Sequence, residues 1–123
     1  MDWSDRWLGV RAPWSIDAVC WWFVRQVLIE ERGLVLSEEG VLAPRDQWAT
    51  LLEAGAASGE WTRVTAPQDF DVVLAHHRGL YHVGLLASSS ILHLHNNRAG
   101  AVRHPFHAWQ SHGLIRGVYR RAA

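Results

Sequence analysis

The sequence predicts an α+β fold, with N-terminal helices packed on a C-terminal antiparallel sheet of about five to six strands. Three observations predict it. Apolar residues recur at helical spacing over 16–32 and 44–55. From residue 61 onward the period shortens from about 3.6 to 2, as it does when helices give way to strands. The chain has 123 residues, 49% of them apolar, which suits one domain spanning 1–123 around a real core.

Residues 1–14 are Trp-rich and irregular, and Pro13 bars a helix across them. Ser15 is the expected N-cap, with Asp17 in the first turn, where an acid suits the helix dipole. Ile16, Val19, Cys20, Phe23, Val24, Val27 and Leu28 form the apolar stripe, and Gly33 supplies the stop. Pro44 suits the first position of a second helix over 44–55, with Trp48, Leu51 and Leu52 on one face. Gly55 to Gly59 reads as loop. Strands are expected at 61–64, 71–75, 80–86, 91–96, 100–104 and 114–119. Pro67, the Ser88-Ser89-Ser90 tip, Asn96-Asn97, Gly100 and Gly113 punctuate them.

The formal charge is zero, but it is divided. All 12 basic residues are Arg, and all 12 acids lie between Asp2 and Asp71. Residues 1–71 therefore carry −6, while residues 72–123 carry +6 together with all eight His. The C-terminal Arg are scattered and form no dense basic arm, so nucleic acid is not an expected partner. No apolar run reaches the roughly 20 residues of a membrane span. The start is acidic and Trp-bearing, so no secretory signal is expected. One cysteine excludes an internal disulfide and a four-cysteine zinc site. Arg without Lys and eight Trp fit the coding bias of a GC-rich genome.

The chemistry concentrates in Cys20 and the histidines. Cys20 lies about one turn into the first helix, where the helix field favours a thiolate, although a lone Cys on an apolar stripe also serves as core filler. Residues 81–86 and 91–95 alternate as a hairpin. With a four-residue loop at 87–90, Leu86 faces Ile91, Gly84 faces His93 and His82 faces His95. His82 and His93 then become diagonal neighbours with Gly84 leaving space between them, which is the arrangement of a base held by a second polar group. A one-residue slip would scatter them.

These residues resemble the NlpC-type cysteine peptidases, papain-like enzymes of the bacterial cell wall, and within them the short phage-tail branch. Residues 18–27, Ala-Val-Cys-Trp-Trp-Phe-Val-Arg-Gln-Val, are similar to the nucleophile helix, whose phage form reads Asp-Cys-Trp-Gly-Leu-Val-Arg. Phe70 to Leu74 resembles the Gly-Asp-Val-Val-Leu strand. Tyr81 to Leu86 followed by Ile91 to His93 resembles the Ser-His-Val-Gly-Ile-Tyr strand and its successor. Ile115 to Arg120 resembles the closing strand. The resemblance implies a papain-like NlpC-type fold with Cys20 as nucleophile, His82 as base and His93 orienting His82, acting without cofactor or metal. It implies peptidoglycan stem peptides as substrate. It also implies other tail-tip proteins as partners, in the virion tail or in the bacterial cytoplasm before assembly.

The chain departs from that pattern at Val19, Trp22 and Phe70, where the family carries Asp, Gly and Gly. Trp14 stands nearest to the Tyr that many members use to help bind the oxyanion, and one lost oxyanion donor typically costs about 10²–10³ in rate. Trp22 would narrow the cleft. Two other readings therefore stand beside the peptidase. One is a structural tail-tip or assembly protein that keeps the fold. The other is a metal-binding hydrolase using His93-x-His95 and His104-x-x-His107, set against a C-terminal half without carboxylates. His95 is the alternative orienting residue. His76, His77, His104, His107 and His112 read as surface or cleft rim.

Overall fold

In the computed structural model, which describes residues 2–13, 18–36 and 45–121, a six-stranded antiparallel sheet carries helices on both faces. The strands are β1 (Trp61–Arg63), β2 (Val72–His77), β3 (Leu80–Ala87), β4 (Ser90–His93), β5 (Val102–Pro105) and β6 (Ile115–Arg121). Their order is β1-β6-β2-β3-β4-β5, so β2 to β5 form a meander and β6 returns to lie between β1 and β2. The helices are α1 (Val19–Arg32), α2 (Trp48–Ser58) and α3 (Phe106–Ser111). The predicted fold class is the observed one.

Residues 3–7 form a short 3-10 helix that sequence periodicity does not reveal. Asp2 caps it, accepting from the Ser4 amide at 2.8 Å. Trp7 turns its edge to Phe23 and donates to Glu31 at 2.8 Å, which fastens this segment to the end of α1. Of the expected stripe, Cys20, Phe23, Val24, Val27 and Leu28 are buried and Val19 is half-buried, and Gly33 ends the helix in the left-handed conformation. Its expected cap Ser15, together with Trp14, Ile16 and Asp17, and Pro44 ahead of the second helix lie outside the described residues.

The second helix differs from expectation at its C-terminal end. A 3-10 turn over Arg45–Gln47 leads into α2, which runs through Gly55 to Ser58. Gly55 is a packing gap and not a breaker: a Cβ there would strike the Trp61 indole. The true stop is Gly59, with φ 86°. Trp21 stacks on Trp48, with centroids 6.1 Å apart, and joins α1 to α2.

Pairing of Leu86 with Ile91 matches the expected hairpin register. The loop is two residues, Ser88 and Ser89, because Ala87 and Ser90 extend the ladder by one pair without changing which residues face each other. Alternation then divides the sheet. Val72, Leu74, Val83, Leu85, Leu92 and Tyr119 pack against α1 in the main core. Val73, Ile91 and Val118 face the opposite way, under Phe106 and Trp109 of α3. β4 ends at His93, short of the expected boundary, and β5 starts at Val102.

The start of β2 is locked by charge. Asp71, only 1% exposed, accepts from the Gln68 amide at 2.7 Å and from both Nε and a terminal nitrogen of Arg120 on β6, at 2.8 and 2.9 Å. The preceding residue, Phe70, has φ 73°, a conformation that favours glycine. Its ring is held by Trp3, stacked at 4.2 Å, and by the Arg32 guanidinium 5.0 Å from its centroid.

Candidate active site

Two diagonals across three strands build the site. Paired strand positions face the same side, so His82 on β3, His93 on β4 and His104 on β5 all project from the face that α3 partly covers. Gly84 makes the first diagonal possible. A Cβ on it would lie 2.5 Å from Cγ2 of Ile91 and 3.0 Å from Cβ of His93. With only hydrogen there, His82 Nε2 meets His93 Nδ1 at 2.8 Å. On the second diagonal, His93 Nε2 meets His104 Nδ1 at 2.7 Å. The three imidazoles form a continuous hydrogen-bonded chain.

Trp109 closes over this chain. Its ring stands edge-on to His93 at 4.9 Å and within 5.8 Å of His82. His93 is therefore 3% exposed. Burial, reinforced by the neighbouring His104 and His95, pushes its pKa down to about 3. His93 is neutral at every ordinary pH and carries one N–H to share between two neighbours. His104 sits at the exposed end of the chain. An open cleft of about 750 Å³ borders the group, with His77, Arg78, His82, His93, His95 and Trp109 among its walls. Among the described residues no carboxylate lines it.

Cys20 is held differently. It lies in the first turn of α1, 3% exposed, within the core cluster that α1 shares with β2, β3 and β4. Contacts hold the C-terminal end of α1 and the segment that ends at Pro13. The C-terminal end of α1 reaches the start of β2, where Arg32 covers Phe70. The chain before α1 is pinned at Ala12, whose amide donates to Asn97, four residues past β4, at 2.7 Å. α1 packs chiefly on β3, with further contact to β4.

The structure brings His82 and His93 together and sets the exposed His95 ring 5.6 Å from His82. Trp22 is half-buried on α1, packed against the main core. His76 leans on Tyr81, and His77, His107 and His112 are exposed. His104 and Trp109 are the residues that sequence reasoning missed as site members. The signal for His104 was available: once β5 pairs with β4, alternation puts His104 and His93 on one face. Trp109 had none, because α3 is too short to show a helical period. Among the described residues, no group of three or more His, Cys, Asp or Glu has a geometry that could hold a metal ion. No helix among them is long and apolar enough to cross a membrane. No protein-family model matches the chain, and no curated protein matches it.

Proposed function

We propose that this chain is a cysteine peptidase that hydrolyses amide bonds of peptidoglycan stem peptides, working as a component of a phage tail. The observation that carries this reading is the His82–His93 hydrogen bond, 2.8 Å between Nε2 of His82 and Nδ1 of His93, the pairing of a base with the residue that orients it. With Nε2 bonded to His93, the base on a thiol is Nδ1, the other ring nitrogen.

The chemistry follows that assignment. His82 Nδ1 takes the thiol proton, and the Cys20 sulfur attacks the scissile carbonyl carbon. The imidazolium formed on His82 is steadied by the lone pair of His93 Nδ1. The tetrahedral intermediate collapses, the C–N bond breaks, and His82 returns its proton to the leaving amine. Water then attacks the thioester with His82 again as base, releasing the acid and the thiol. The positive φ at Phe70, where the peptidase pattern has Gly, supports the same reading, since the backbone keeps a glycine-like conformation.

A second reading rests on its own observation. Cys20 is only 3% exposed within the core cluster, which suits a tail-tip assembly protein that keeps the fold without the activity. Digestion of purified muropeptides by the wild type and by Cys20→Ala separates the two. The peptidase reading expects new amino termini with the wild type and none with the variant. Equal turnover by both would sink the mechanism, and no turnover by either would favour the assembly role.

A further inference from the structure

The three-imidazole chain has a direction. His82 and His93 both present Nε2 to the next ring, and His93 and His104 both receive at Nδ1. A neutral His93 has one N–H, so the chain has two self-consistent states. In one, all donors are Nε2–H and protons point outward from His82 to His104. In the other, all donors are Nδ1–H and protons point inward. The outward state places each neutral ring in the tautomer that a free imidazole side chain prefers. It is also the state in which His93 Nδ1 is an acceptor for a protonated His82.

We infer that His104 is a positioning residue that fixes His93 as its Nε2–H tautomer and, through His93, presents an acceptor to His82 Nε2. The geometry supports this apart from any titration. His104 Nδ1 lies 2.7 Å from His93 Nε2, β5 holds it in register with β4, and Trp109 shields the inner bond from water. His104 ends the chain at an exposed position. The groups around His93 are His82 from β3, His104 from β5, His95 just past β4 and the uncharged Trp109 from α3. Among these no carboxylate competes for the His93 proton. The consequence for catalysis rests on the peptidase reading, whereas the tautomer assignment does not.

The test is long-range ¹H–¹⁵N correlation of the imidazoles in the uniformly labelled full chain at pH 8, where an ordinary imidazole is neutral. The wild type is expected to show His93 with Nε2 protonated and Nδ1 bare. In His104→Phe, with backbone amide shifts retained as the check on folding, the two His93 nitrogens should move toward each other as the tautomers mix. In His104→Asn, the amide oxygen stands where Nδ1 stood, and the wild-type pattern should return. A protonated Nδ1 on wild-type His93, or a His104→Phe spectrum unchanged at His93, would overturn the assignment. So would a His104→Asn spectrum like that of His104→Phe. Cys20 alkylation at pH 7 supplies the second readout. It should be about tenfold slower in His104→Phe, the change that one unit of pKa produces, and restored in His104→Asn. If the spectra behave as stated while alkylation is the same in all three proteins, the positioning role stands and the peptidase reading falls.

Discussion

His93 is neutral in the fold because Trp109 and the sheet exclude the water that an imidazolium needs. That has a consequence for stability with a definite sign. The unfolded chain returns His93 to its ordinary value of 6.5, while the folded value is about 3. Between those limits the unfolded state holds one more proton, so stability falls as pH falls, by about 1.4 kcal/mol per pH unit. Denaturant titrations between pH 7 and 5 should show stability falling with a slope that steepens toward this value below pH 6.5, and His93→Asn should flatten it. A slope equal in both proteins would remove His93 as its source. The same crowding makes Gly84 sensitive. Gly84→Ala sets a methyl 2.5 Å from Ile91 Cγ2 and 3.0 Å from His93 Cβ, and should cost about 1–3 kcal/mol in denaturation. The sequence disclosed the His82–Gly84–His93 diagonal because a strand's period of 2 is enough to place it. It did not disclose that His93 is sealed, because the seal comes from α3, whose six residues leave no periodic trace.

Elements were legible where one local rule dominated and obscure where tertiary packing overrode it. The α1 stripe and its Gly33 stop follow from spacing and backbone freedom alone. All six strands lie within a few residues of their expected spans, since turn residues bound them. The end of α2 shows the opposite case. Gly55 looks like a breaker, yet the helix continues because the absent Cβ admits the Trp61 ring. Helix propensity alone would make Gly55→Ala stabilising by about 1 kcal/mol. Packing reverses the sign, because the indole is a rigid, buried plate that cannot swing away from a new methyl. Thermal denaturation should show Gly55→Ala to be less stable by about 1–3 kcal/mol. The double variant Gly55→Ala, Trp61→Leu should lose less than the sum of the two single changes.

At the scale of the whole molecule, the divided charge of the sequence becomes a set of ties between its halves. Of four ion pairs among the described residues, three join an acid from the first 71 residues to an Arg from the remainder: Asp5 with Arg103, Glu60 with Arg121, and Asp71 with Arg120. They differ in burial, and so in what they contribute. Asp5 and Arg103 are each about one-third exposed at 2.7 Å, so solvent and salt screen them and removing one partner should cost under about 1 kcal/mol. Asp71 is 1% exposed, and its carboxylate carries the Gln68 amide as well as both Arg120 bonds. Asp71→Asn leaves Arg120 without its counter-charge at the junction of β2 and β6. Losing one partner of a buried pair typically costs about 3–5 kcal/mol, reduced to about 2–3 here because Arg120 is 38% exposed. Urea titrations at low and at 1 M salt should therefore separate the two pairs. The Arg103→Met difference should shrink with salt, while the Asp71→Asn difference should persist. If both shrink together, the β2–β6 junction is held by apolar packing of Val72 and Val73 against Tyr119 and Val118, and the charge pattern of the sequence reflects solubility alone.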